Sequence, residues 1–257
     1  MSDDAAISVR SLRMAYGDFV VMRGLTFDIG RGDIFVIMGG SGSGKSTLLR
    51  HLIGLMEPAA GEVFYGDVNF TKAGEAERAA LMRNVGVLFQ SGALFSSLTL
   101  AENVGIGLEA YLPGLTTAEV REIASLKLSL VGLTGFEDYY PAEISGGMKK
   151  RAGLARALAL DPEILCIDEP SAGLDPISSK RLDELILELR DSLGTTVVIV
   201  THELESIFTI ASNSVFLDAG TKTMTALGPP AELRDRAKDP AVREFLNRGV
   251  TPDGGGS

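Results

Sequence analysis

The chain has 257 residues, 45% of them hydrophobic, which suffices for the core of one large α/β domain or two small ones. A formal charge of −10 suits a nucleic-acid backbone poorly, since Lys and Arg must replace its counterions, and no stretch reaches the roughly 20 continuous apolar residues of a membrane span. The single cysteine, Cys166, excludes an internal disulfide, and the acidic start Met1-Ser2-Asp3-Asp4 lacks the pattern of a secretory signal, so a cytoplasmic location is expected.

In chain order, the first strong signal is the apolar run Ile34-Phe35-Val36-Ile37-Met38, which stops abruptly at Gly39 as buried parallel strands do. Gly39-Gly40-Ser41-Gly42-Ser43-Gly44-Lys45-Ser46 follows and fits G-x-x-x-x-G-K-[ST] between a strand and a helix. Glycines let successive N–H groups turn toward phosphate oxygens, and the helix start adds the positive end of its dipole. Lys45 is expected to reach the β- and γ-phosphates of a nucleotide, and Ser46 to ligate Mg²⁺. Leu48, Leu49, Leu52, Ile53 and Met56 predict a helix from Ser46 to Met56, ending before Pro58. His51, inside that helix without a matching neighbour, reads as structural.

Residues 91–160 have no convincing buried strand and read as a helical insertion. Thr116-x-x-Glu119 predicts a capping box opening a helix toward Val131. Ser145 stands where an N-cap would, Gly146 and Gly147 expose backbone N–H groups, and Leu154 and Leu158 mark one side of the following helix. Two further buried strands end in polar groups: Ile164 to Ile167 at Asp168 and Glu169, and Val197 to Val200 at Thr201 and His202. Between them, Asp175-Pro176 starts a helix whose buried face is Leu182, Leu185, Ile186, Leu189 and Leu193. Val215-Phe216-Leu217 gives a weaker edge-hairpin signal before Asp218 and Gly220, and Thr251 to Ser257 is read as a loose tail outside the fold. Ligands of parallel α/β sheets sit beyond the carboxyl ends of the strands, so the loops after these strands form one site hypothesis. An Asp there can hold Mg²⁺, and an adjacent carboxylate can orient or deprotonate water.

Ile144-Ser145-Gly146-Gly147-Met148 with Lys149-Lys150-Arg151 resembles the signature motif of ATP-binding-cassette (ABC) ATPases. That family's ordered set is present: Lys45 in the phosphate loop, Gln90 after a strand, the signature, Asp168-Glu169, Ser171-Ala172-Gly173-Leu174-Asp175, and His202. Tyr16-Gly17 is similar to the family's adenine-stacking aromatic. The resemblance covers roughly 7–230 and implies a P-loop NTPase fold of the ABC type, an α/β protein with a largely parallel sheet core and an inserted helical subdomain. It divides the chain into an ATP-binding core (1–90 and 161–230), a signature subdomain (91–160) and a C-terminal helix with a flexible tail (231–257).

The resemblance further implies ATP and Mg²⁺ as cofactors. Two cassettes pack head to tail with two ATPs between them, each touching the phosphate loop of one subunit and Ser145, Gly146 and Gly147 of the other. Gly39 to Thr47 would hold the nucleotide, with Ser46, Gln90 and Asp168 around Mg²⁺ and Glu169, His202 and Gln90 serving hydrolysis. One departure stands out: the family's last signature residue is usually glutamine, and here it is Met148, which cannot return a hydrogen bond to the cap. Gly86 to Phe95, the Met148 signature and Asp175-Pro176-Ile177 resemble the Mla/Mce-type lipid-transport ATPases of bacterial envelopes. The expected partners are a second copy, an integral membrane permease holding the protein at the inner (plasma) membrane, and an Mce-type lipid-binding protein. A permease helix would dock beside Gln90, where Phe89, Leu94 and Phe95 serve either as core or as its groove. The alternative is a scaffold cassette ATPase like those of iron–sulfur assembly or division signalling. Nucleic acid is not an expected partner.

Overall fold

The computed structural model describes residues 4–248, so the predicted tail at Thr251–Ser257 lies outside the described residues. The chain opens with β1 (Ala5–Tyr16) and β2 (Phe19–Gly30), then β3 (Ile34–Gly39) leads into α1 (Lys45–Leu52). β4 (Ala60–Tyr65) and β5 (Val68–Asn69) form a hairpin before α2 (Glu75–Met82) and β6 (Val85–Leu88). α3 (Leu100–Tyr111), α4 (Thr117–Leu130), a 3-10 turn at Pro141–Glu143 and α5 (Gly146–Ala157) precede β7 (Ile164–Asp168). α6 (Pro176–Leu193), β8 (Thr196–Val200) and α7 (Leu204–Ile210) follow. β9 (Asn213–Asp218), β10 (Thr223–Gly228), α8 (Pro230–Arg236) and α9 (Pro240–Leu246) complete the described chain.

The main sheet has the order β10-β9-β3-β8-β7-β6, parallel throughout except where β10 pairs antiparallel with β9. Its strands are buried on both faces because side chains alternate with a period of two. Ile34, Val36 and Met38 of β3, Leu165 and Ile167 of β7, and Val197 and Ile199 of β8 join one core cluster with α3 to α6. Phe35, Ile37, Cys166, Val198 and Val200 point to the other face, where α1 and a second, antiparallel sheet cover them. That second sheet has the order β2-β1-β4-β5, and Phe27 of β2 stacks on Phe35 with ring centroids 5.4 Å apart.

The sequence pattern does not announce β1, because a bulge reverses its phase. Ile7 and Val9 face the core, then Leu12 and Met14 do, with the register shifting between Val9 and Leu12 and Ser11 turned to φ 48°. Two odd positions followed by two even ones break the alternation that marks a half-buried strand. The predicted helix from Ser46 to Met56 is also corrected: α1 ends at Leu52. Gly54 adopts φ 73°, and the Leu55 N–H returns to the Arg50 carbonyl at 2.9 Å, closing the helix well before Pro58. Ile53 is buried by that turn rather than by the helix.

Candidate functional site

Because β8 lies between β3 and β7, the loops after these three strands converge at one edge. The loop after β3 is shaped by contacts only glycine permits. A Cβ on Gly39 would lie 2.3 Å from the Leu217 carbonyl oxygen, and one on Gly44 (φ 80°) would lie 2.7 Å from Val21 Cγ1. Gly44 is the N-cap of α1 and supplies no side-chain cap, so the first N–H groups of the helix remain available to a ligand. Lys45 is buried, and its ammonium donates to the carbonyls of Gly39 at 3.1 Å and Gly40 at 3.0 Å. Burial pushes that ammonium below the usual lysine range, with the Glu169 and Asp168 carboxylates acting in the opposite direction.

Ser46 Oγ donates to Asp168 Oδ1 at 2.8 Å across 122 residues of sequence. His51 is buried with Nδ1 2.9 Å from the Met56 carbonyl, in keeping with a structural role. Glu169 follows with its side chain 13% exposed, and His202 Nδ1 lies 2.9 and 3.0 Å from its two carboxylate oxygens. A carboxylate only accepts, so Nδ1 is the donor in this contact. Glu169 stands at φ 48°, a conformation uncommon for a residue with a Cβ.

Two concavities flank the phosphate loop. One of about 350 Å³ is lined by Tyr16, Phe19, Val21, residues 42–47 and Glu169. Tyr16 is half exposed and its hydroxyl lies 3.4 Å from Thr47 Oγ1, while Phe19 takes the Lys222 ammonium 4.9 Å from its ring centroid. Sequence reading missed Phe19 and Val21, whose i, i+2 spacing after Tyr16-Gly17 was the available signal. The other, of about 500 Å³, brings Gly39, Gly40, Lys45, Glu169 and His202 together with Leu204, Phe245 and Arg248. Gln90 lies exposed in the turn after β6 and lines neither concavity.

The signature lies elsewhere. Ser145 caps α5, its Oγ accepting the Met148 N–H at 3.3 Å. Unlike Thr99 of α3 and Thr116 of α4, it has no reciprocal bond from a side chain three residues on. Met148 instead packs against the core and lines, with Ser145, Gly147, Leu174 and Arg181, a separate concavity of about 490 Å³. Among the described residues none lines both this concavity and either of those at the phosphate loop.

The residues fit a magnesium nucleotide. Ser43 in the loop is fully buried with an unpartnered hydroxyl, and Ser46 and Asp168 together offer a small, oxygen-only pair. Among the described residues no cluster of three or more His, Cys, Asp or Glu forms a metal cage. Mg²⁺ needs none, since it is usually bound by one or two protein oxygens with phosphates and water.

The family model described as "ABC transporter" matches residues 22–172. The "Probable ribonucleotide transport ATP-binding protein mkl" of Mycobacterium leprae is 40% identical over 97% of this chain and 71% of its own length. The "Sulfate/thiosulfate import ATP-binding protein CysA" of Brucella suis is 37% identical over 95% of this chain and 67% of its own. Among solved structures, the dimeric post-hydrolysis state of the ATP-binding cassette MJ0796 bound to ADP and Pi superposes with a TM-score of 0.78. It is 29% identical and covers 86% of this chain and 97% of that one.

Proposed function

The chain belongs to the ABC transporter family of ATP-binding cassettes, and on that premise we propose that its ATP hydrolysis drives lipid movement through a separate membrane permease. As an ABC cassette it is an ATPase subunit that binds ATP with Mg²⁺, dimerises and pairs with a membrane permease. Among the described residues no helix is long and apolar enough to cross a membrane.

In this reading residues 39–47 hold the triphosphate and Tyr16 stacks on adenine. Ser46 and Asp168 hold Mg²⁺, which would neutralise charge developing on the transferred phosphoryl group. Glu169 orients and deprotonates the attacking water, and His202, bonded to Glu169 through Nδ1, keeps that carboxylate aimed. Gln90, exposed and outside both concavities, joins the site in this reading when the dimer closes. Ser145, Gly146 and Gly147 complete the nucleotide site of the partner subunit, a role supported by the separation of the concavity at Ser145 and Gly147 from the two at the phosphate loop. We read 91–160 as the unit that carries the signature toward that partner, and the protein as peripheral at the inner membrane.

The observation that carries the lipid reading is the Met148 signature together with the stretch from Gly86 to Phe95, both resembling Mla/Mce-type ATPases. The printed cargoes of the two relatives, ribonucleotide and sulfate or thiosulfate, differ from each other and from a lipid, so the cargo rests on that local sequence. Phe95 supports a docking groove: it is 54% exposed, whereas Leu94 packs against one core cluster and Phe89 against the other. Its backbone is fixed by buried Asn103, which accepts the Phe95 N–H at 2.7 Å and donates to the Phe95 carbonyl at 3.1 Å.

Phe95→Asp therefore leaves the thermal melt and ATP binding near wild type while reducing permease recovery about tenfold or more, the effect of charging an apolar anchor. The deciding experiment isolates the tagged chain from its native membranes and identifies companions and bound lipid. Recovery of a permease with an Mce-type protein and lipid supports the reading. Recovery of cluster-assembly or division proteins without a permease overturns it and favours the scaffold alternative.

A further inference from the structure

Lys150 lies on α5, five residues after Ser145 and so about one and a half turns along the signature helix. Its side chain is almost wholly buried, 6% exposed, and its Nζ donates to the main-chain carbonyl of Glu169 at 3.2 Å. That oxygen also accepts the Ala172 N–H at 3.3 Å, and the Glu169 N–H donates to the Val200 carbonyl at 2.8 Å. Together these bonds hold Glu169 at φ 48°. A left-handed residue with a Cβ persists only where its surroundings over-determine it, so they also set the direction in which the Glu169 side chain leaves the backbone toward His202. Burying an ammonium is a costly way to fill space, and Met would fill the same volume without desolvating a charge. Burial pushes this ammonium below the usual lysine range, opposed by the Glu169 and Asp168 carboxylates nearby.

The geometry points to Lys150 as a positioning residue for hydrolysis that ties the signature helix to the backbone of Glu169. In a head-to-tail dimer the signature faces the partner's nucleotide while Glu169 faces its own. A shift of α5 at one site thereby reorients the carboxylate at the other. This rests on the catalytic role proposed for Glu169.

The test compares Lys150→Met, Lys150→Gln and Glu169→Gln in the full chain purified with its membrane companions, measuring kcat, KM for ATP, equilibrium ATP binding and thermal melts. Lys150→Met should lower kcat about 10–100-fold, as loss of a supporting bond around a reactive group does, with KM and ATP affinity within about threefold. Lys150→Gln, which still donates to a carbonyl, should recover kcat to within about threefold of wild type. Lys150→Met added to Glu169→Gln should cost little more, because residues acting through one group are not additive. If Lys150→Met melts early, Lys150→Ala replaces it with the same expectations. Wild-type kcat in the Met or Ala variant, no rescue by Gln, or losses that multiply with Glu169→Gln would each overturn the proposal. Near-normal turnover of Glu169→Gln would instead overturn the role of Glu169 itself.

Discussion

The chain carries two helix N-termini suited to an anion, and they are built in opposite ways. At α1 the cap is Gly44, without a side-chain acceptor, and the loop before it is fixed by close approaches to the Leu217 carbonyl at Gly39 and to the Val21 side chain at Gly44. At α5 the cap is Ser145, whose hydroxyl already takes the Met148 N–H, and the helix is anchored from its far side by side chains. Arg156 donates to the carbonyls of Ala93 at 2.7 Å and Gly92 at 3.1 Å, and Lys150 to that of Glu169. The first end is a rigid cradle with free donors. The second is a part-satisfied end on a helix tied to the Gln90 loop and to the Asp168–Glu169 strand. A fixed binding site and an element that reports its own position call for these two constructions.

The largest effect that would sharpen the contrast is expected at Glu169. Replacing it with Gln preserves shape and removes the base, so turnover should fall on the order of 10²–10⁴-fold while ATP stays bound and accumulates in a dimer. Steady-state turnover with size-exclusion chromatography reads both, and near-normal turnover would break the assignment. Next comes complementation between the two ends. Lys45→Ala chains mixed with Ser145→Arg chains form hybrids with one intact and one doubly damaged site, so the mixture should exceed either parent in ATP-dependent dimerisation. A mixture no better than its parents would mean that the two ends do not share a nucleotide.

Smaller effects separate a rigid cradle from an adjustable one. Gly39→Ala pushes a Cβ to 2.3 Å from the Leu217 carbonyl, so strain of about 1–3 kcal/mol should lower the melting midpoint and weaken nucleotide binding together. An unchanged midpoint would show that the loop yields. Met148→Gln should have the least effect. It adds a capping-box bond worth about 0.3–1.5 kcal/mol but gives up apolar contact with the core, so the midpoint should move by no more than about 4 °C. Thermal melts decide it, and a larger shift would mean that α5 depends on its cap more than on its side-chain anchors.

Much of this protein is written locally. The strands at 34–38, 164–167 and 197–200 are readable because buried parallel strands are continuous apolar runs, and the phosphate loop because its glycines sit between a strand and a helix. The caps at Thr116, Ser145 and Asp175 are readable because each bond spans two or three residues. The tertiary structure alone decided what lies beyond that range. A bulge near Ser11 hid β1 by reversing its phase, and the turn at Gly54 ended α1 inside an apolar pattern that continued to Met56. Sheet order, not spacing, brought Ser46 to Asp168 across 122 residues and His202 to Glu169 across 33, and packing of α5 brought Lys150 to Glu169. Periodicity and caps follow from backbone geometry within a few residues, whereas such contacts depend on which distant segments pack side by side, and no local pattern encodes that.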